Sequence, residues 1–252
     1  MNRFFVLALA ALAAGLPAHA QVSVPGPSGA LVYADGGNGR YQSLTFRRAD
    51  GRVLSAFDDG LEFAYDPRHD ADKLSPDRRY TFVSFSAQGE DGTAASSEYL
   101  CAFVRMDDGC VVHVAQGSVC GGQWQPPHRW THADGRRAEP VTDHPPKMAE
   151  IVAAYASGHK DGSQVSQPRV LAYLAEGTSF DNLLACDPPG ADNRNSYSKM
   201  LALLKADRDT QNAARLRAAL KAGPRPAATH AVPDSPSATR KEVLDFLGSP
   251  RP

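Results

Sequence analysis

The chain has 252 residues with 27 Lys and Arg against 28 Asp and Glu, a formal net charge of −1, and is long enough for one large domain or two small ones. That balance gives no support to a nucleic-acid partner, which would ask for a basic stripe.

The first twenty residues, MNRFFVLALAALAAGLPAHA, place Arg3 before an apolar run and close on Ala-His-Ala, which predicts a secretory signal peptide cleaved ahead of Gln21. The apolar core is too short to span a bilayer, and no other run approaches about 18 residues, so no membrane span is expected. No Cys follows the cleavage point, which argues against a lipid anchor. Export would put the four cysteines in an oxidising compartment, where two disulfides are the simplest reading.

Residues 21–40 are rich in Gly, Pro and Ser and predict an irregular arm with at most one short strand. From residue 41 the pattern changes to strands and tight turns. YQSLTF and RVLSAF flank Asp50-Gly51, LEFAY follows Asp-Asp-Gly, and RRYTFVSFSA follows Ser-Pro-Asp. EYLCAFVRM and CVVHVA then make a hairpin around Asp108-Gly109. Turns every ten to twelve residues predict an antiparallel sheet of six to eight strands that closes near Trp124.

Beyond a Pro-rich connection at 125–146 the period becomes helical. KMAEIVAAYASG carries Met148, Ile151, Val152 and Tyr155 on one face, and PRVLAYLAEG starts at Pro168 and stops at Gly177. NSYSKMLALLKA, capped at Asn195, and DTQNAARLRAALKAG, from Asp209 to Gly223, form a helical hairpin bent at Asp-Arg-Asp. A linker then leads to a short tail helix, TRKEVLDFLG, with Thr239 and Glu242 as a capping box and Val243, Leu244 and Leu247 as its apolar face. The resulting expectation is an α+β protein: signal peptide 1–20, antiparallel β domain 21–135, helical portion 136–223, and Pro-rich linker with tail helix 224–252.

Cys101, Cys110 and Cys120 are spaced by nine and ten positions, without the close pair of a zinc or redox motif. If 98–107, 110–115 and 118–124 run up, down and up, Cys101 and Cys120 lie near one end and Cys110 at the other. An intervening strand would keep Cys101 and Cys120 about 9–10 Å apart unless the third strand folds over. With that condition the geometry favours Cys101–Cys120 and leaves Cys110 for Cys186, although all three pairings stay open on sequence alone.

His128 and His132 have the spacing of two ligands on a helix face. Pro126, Pro127 and the missing Glu favour two surface histidines around a packed Trp130 instead. The acidic run Asp58, Asp59, Glu62, Asp66, Asp70, Asp72 and Asp77 lacks the register of a calcium loop and reads as solvated turns. Gly-x-Ser-x-Gly is absent. Cys120 with His113 or His128 as base is the available nucleophile arrangement, weighed against a structural disulfide. No catalytic set, metal site or cofactor is therefore expected. Trp124 and Trp130 are candidate contact residues, since aromatic side chains anchor many interfaces.

LSPDRRYTFVSFSA, YLCAFVRMDDGCVV and VCGGQW, within residues 74–124, resemble small exported proteins encoded beside type VI secretion effectors in proteobacteria, which act as periplasmic immunity proteins. The resemblance implies export, a stapled scaffold and a surface that blocks the active site of an effector enzyme. The acidic turns Asp58-Asp59 and Asp107-Asp108, with Trp124 and Trp130, are the binding residues that fit this role. The competing classes are a cell-envelope hydrolase using Cys120, His128 or His132, and an envelope assembly factor that docks through the tail helix 239–247.

Overall fold

The computed structural model describes residues 20–66, 68, 73–87, 99–135, 139–140, 144–158 and 169–222. Residues up to 19, where a signal peptide is expected, Asp70, Asp72, Pro168 and the expected linker and tail helix at 224–252 lie outside the described residues.

The chain is an α+β protein. Eight antiparallel strands form the main sheet: β1 (Ala20–Pro25), β2 (Gly29–Gly37), β3 (Arg40–Arg48), β4 (Val53–Leu54), β5 (Leu61–Ala64), β6 (Tyr80–Ala87), β7 (Tyr99–Arg105) and β8 (Val111–Gln116). Their order is β1-β2-β3-β5-β6-β7-β8, with β4 paired to β3. The expected irregular arm is instead the β1–β2 hairpin, paired from Val22↔Tyr33 to Pro25↔Ala30. Gly26, Pro27 and Ser28 only make its turn, while Val24, Leu31 and Tyr33 supply the buried positions that a composition count hides.

β7 explains how the sheet is covered. Residues Leu100 to Val104 are buried without a break, because alternate side chains enter different cores. Leu100, Ala102 and Val104 join Phe46, Phe63 and Phe85 on one face. Cys101 and Phe103 join Tyr80, Phe82 and Trp130 on the other. The first face is curled far enough that β3 meets the β7–β8 turn: the Arg48 guanidinium donates to the Asp108 carbonyl at 3.0 Å. Gly109, at φ +82°, lies so close to the Phe46 ring that a Cβ there would come within 2.5 Å of it.

The expected third strand at 118–124 does not extend the sheet, which closes at Gln116 rather than near Trp124. A 3-10 turn at Gly117–Val119 folds the chain back, bringing Cys120 over β7. Cys101 and Cys120 are thereby bonded, with Cα atoms 5.5 Å apart. β9 (Gln123–Gln125), at the end of that expected strand, forms a separate three-stranded sheet with β10 (Arg129–Thr131) and β11 (Glu139–Pro140), which lie in the stretch read from sequence as a Pro-rich connection.

The helical portion contains α1 (Met148–Gly158), α2 (Phe180–Cys186), α3 (Arg194–Ala206) and α4 (Thr210–Ala222). Their core is Met148, Ile151, Tyr155, Phe180, Leu183, Tyr197, Met200, Leu204 and Leu216, with Val170. The helix expected up to Gly177 is one 3-10 turn, Val170–Tyr173, and Leu174 leaves it in an extended conformation. α2 escaped sequence reading because seven residues carry too little periodicity, yet Ser179 caps it by accepting the Asn182 N–H. Asn193, not Asn195, occupies the N-cap position of α3. The Asn193 side chain instead accepts from the Gly190 N–H and donates to Asp187.

Asp187 ties these helices together. One carboxylate oxygen accepts the Met148 N–H at 2.8 Å, the other accepts from Asn193 at 2.7 Å, and its carbonyl accepts the Tyr197 hydroxyl. Asp187→Ala is expected to cost about 1–2 kcal/mol of stability, as the loss of a helix cap and a charged hydrogen bond does. An unchanged thermal midpoint would show that water replaces the carboxylate.

The Cys110–Cys186 bond has a sequence separation of 76 and Cys101–Cys120 one of 19. Chain entropy predicts that removing the first pair by double Ser substitution costs about 4.5 kcal/mol, and the second about 3.3 kcal/mol. Guanidinium unfolding of the two variants tests that order.

Candidate functional site

Residues 55–60 run along the junction between the sheet and the helices and are fixed from both sides. The Ser179 hydroxyl donates to the Ser55 carbonyl at 2.6 Å, and the Ser179 N–H to the Ala56 carbonyl at 3.0 Å. Phe57 bridges Thr178 and buries its ring edge-on against Phe63 and Phe85, with centroids 5.1 and 5.5 Å apart. The Asp58 N–H donates to the Gly177 carbonyl, and Gly60, at φ +82°, turns the chain into β5. Asp58 and Asp59 are thus presented on a turn whose backbone is held by packed neighbours.

Both carboxylates are exposed at this turn. The protein mass behind Asp58 nevertheless desolvates its carboxyl and raises its pKa, and the charge of Asp59 adds to the rise. No cation among the described residues compensates the pair.

Sheet register adds a residue that sequence reading missed. Leu61 pairs with Ala87, and in the next row Glu62, Ser86 and Tyr99 lie side by side. Tyr99 is 53% exposed, one of two large hydrophobic side chains left so among the described residues, the other being Val53 on β4. Its end of the sheet is the one from which the acidic turn enters β5. The only sequence signal was its place at the outer end of an otherwise buried run.

The second acidic turn lies at the opposite end of β6, where Tyr80 pairs with Arg105, about 23 Å away along the strand. Its residues serve the fold. Asp108 receives two hydrogen bonds from Arg105, at 3.1 and 2.7 Å, and one from the Cys110 N–H at 3.0 Å. Asp107 faces Arg79 at 3.9 Å. Trp130 is 5% exposed, stacks on Phe82 at 4.8 Å and donates to the Val119 carbonyl. Trp124 meets it edge-on at 5.0 Å, is half-buried and donates to the Lys73 carbonyl. The structure therefore brings the two tryptophans together but keeps the two acidic turns apart.

Of the residues of the enzyme alternative Cys120 and His128 are engaged, whereas the buried Nδ1 of His132 has no hydrogen-bond partner among the described residues. Cys120 is a disulfide sulfur, so it offers no thiolate nucleophile. The Nδ1 of His128 meets the Asp77 carboxylate at 2.7 Å, with strand β10 between His128 and His132, so the two rings do not share a helix face. Among the described residues no group of three His, Cys, Asp or Glu side chains is placed to hold a metal ion. A polar hollow of about 390 Å³ lies at the β2–β3 turn, lined by Asn38, Gly39, Asp66 and Arg68. There Arg68 is ion-paired to Asp66, at 3.3 Å. Among the described residues no helix is long and apolar enough to cross a membrane.

Asp58 and Asp77 have opposite effects on stability as pH changes. Burial favours the neutral form of Asp77, but Ser75, the Arg79 N–H and His128 outweigh it and hold this carboxyl below its ordinary value. Its stabilisation is present above the unfolded pKa of about 3.9 and is lost as pH falls through the lower folded value. Asp58, with a raised pKa, costs stability above its folded value and nothing well below about pH 3.9. Asp77→Asn is therefore expected to lower the thermal midpoint at neutral pH and Asp58→Asn to raise it, both differences vanishing in acid. A neutral-pH loss on Asp58→Asn would show that its carboxylate has a stabilising partner.

Comparison of the chain with protein-family models, curated proteins and solved structures gives no match.

Proposed function

We propose that this chain is an exported protein-binding protein that neutralises a secreted enzyme delivered to the periplasm, by seating the Asp58-Asp59 turn in the enzyme's substrate cleft. The observation that carries this reading is the pairing of a fixed backbone with an uncompensated charge. The turn is anchored by Ser179, Thr178 and Gly177, while Asp58 is kept beside Asp59 at a cost to folding. Such a pair is relieved when it meets a cationic cleft, and charge complementarity of this kind speeds encounter and rejects wrong partners. Tyr99, exposed at the same end of the sheet, supplies an aromatic contact next to the charges.

Two disulfides suit the role. They hold the sheet and the turn in one arrangement before binding, which limits the ordering cost of association. The resemblance of residues 74–124 to immunity proteins of type VI secretion effectors points to the same class of partner.

Capture with tagged chain 21–252 from the periplasm of its own host, grown among competitors, is expected to recover an exported hydrolase in near-stoichiometric amount. The bait should inhibit that hydrolase. Asp58→Lys with Asp59→Lys should weaken inhibition at least about tenfold, since like charges facing each other across an interface are strongly unfavourable. Deleting 224–252 should leave inhibition unchanged. Capture of envelope assembly proteins alone, lost on that deletion, would instead favour the assembly-factor reading.

A further inference from the structure

The α3–α4 hairpin carries a charge that the whole-chain balance conceals. Between residues 194 and 222 there are seven cations, Arg194, Lys199, Lys205, Arg208, Arg215, Arg217 and Lys221, and all are exposed. The same stretch has two acids, Asp207 and Asp209, and both are turned to the backbone. Asp207 accepts the Val170 N–H and Asp209 the Asn212 N–H, at 2.8 and 3.0 Å. Among the described residues only Arg215 has an acidic partner, Asp181 at 3.7 Å. With seven cations against two acids the hairpin has a formal charge of +5, so the rest of a chain of net −1 has −6.

The residues between these cations indicate what kind of surface they meet. The exposed ones include Asn195, Ser198, Ala202, Ala206, Ala214 and Ala218, short side chains that let a broad surface come close to the long cationic ones. Neither of the large exposed hydrophobics among the described residues, Val53 and Tyr99, is on the hairpin. A protein interface would ask for buried aromatic or aliphatic anchors, and insertion into a bilayer would ask for an apolar face turned outward. Neither is present among the described residues of this surface. Diffuse positive charge over the exposed sides of the two helices suits an extended array of phosphates, and the signal-peptide pattern of residues 1–20 selects a lipid surface over nucleic acid as that array.

We infer that the α3–α4 hairpin is a peripheral docking surface for membranes bearing anionic phosphate headgroups, held by charge alone. The hairpin and the acidic turn are then separate surfaces with separate partners, and the inference does not rest on inhibition of an enzyme.

The test is sedimentation of chain 21–252 with vesicles of phosphatidylcholine, alone or with about 30% phosphatidylglycerol. At about 50 mM salt the chain should sediment with the anionic vesicles only, and at about 500 mM its binding should fall at least tenfold, to roughly the neutral-vesicle level. Lys199→Gln, Arg217→Gln and Lys221→Gln together should weaken binding at least about tenfold. Lys199→Arg with Lys221→Arg should retain it, as should Arg47→Gln with Arg129→Gln, one on each sheet. Circular dichroism and melting verify that each variant is folded, and single Gln variants replace any combination that is not. No sedimentation with anionic vesicles at low salt, equal sedimentation with neutral ones, or an equal loss from the sheet substitutions would overturn the inference. So would stronger competition by duplex DNA than by anionic vesicles at equal phosphate, which would assign the hairpin to nucleic acid.

Discussion

The placement of the helical half depends on one short contact, the docking of α2 against the edge of β8. Asn182 acts there as a substitute strand, its carbonyl oxygen accepting the Val111 N–H at 2.8 Å and its amide donating to the Val111 carbonyl at 3.3 Å. One helical turn further on, Cys186 is bonded to Cys110. A polar side chain in a buried position is stable only when its hydrogen bonds are made, and Asn182, 1% exposed, makes them with an edge strand that would otherwise lack a partner. The covalent and hydrogen-bonded links thus act at the same place, and they fix the direction in which the chain enters α2. Because Gly177, Thr178 and Ser179 lead into that helix, the same constraint presses them against residues 55–58.

Three cores meet around this junction. α2 contributes Cys186 to the aromatic cluster outside the sheet and Phe180 and Leu183 to the helical core. Gly177 sits against Phe85 of the inner sheet core, where a Cβ would approach the ring to 2.6 Å. A helix of seven residues could not hold two halves together through its own propensity. It does so because nearly every side chain on it is buried in one core or another, so that loosening either half exposes apolar surface belonging to both.

Much of this was legible in the sequence where a local rule acts alone. The hairpins at Asp50-Gly51 and Asp108-Gly109 follow from glycines at φ +83° and +82°. α1 and α3 follow from apolar spacing that is largely buried, as at Met148 and Ile151 or Tyr197, Met200 and Leu204, and α4 from its start at Asp209 and stop at Gly223. The favoured cysteine pairing held because its stated condition, that the chain after β8 folds over, is met by the 3-10 turn at Gly117–Val119. What escaped depends on tertiary contacts. α2 is defined by the strand edge it covers, the 3-10 turn at Val170–Tyr173 replaces a helix whose apolar residues are divided among several neighbours, and the β1–β2 hairpin hides its alternation under turn-rich composition. Tyr99 stands out only once register places it beside the row that follows the acidic turn.

The two acidic turns make the same point about chemistry. Both read Asp-Asp-Gly, and both end on a glycine at φ +82°, so the tripeptide and its backbone bend are alike. Asp108 has Arg105 three residues before it on β7 and the Cys110 N–H two residues after it, so its carboxylate closes the hairpin that carries it. Asp58 follows a phenylalanine that is drawn into the core, and the segment packed behind it, Gly177 to Ser179, brings backbone and a hydroxyl but no cation. Identical residues therefore stabilise one turn and burden the other, and the difference arises from what the fold places behind each. A carboxylate whose partner is built into its own hairpin has little left to offer another molecule. One held rigidly beside a second carboxylate, with its pKa raised and its outer side open, keeps a charge that its own fold leaves uncompensated among the described residues.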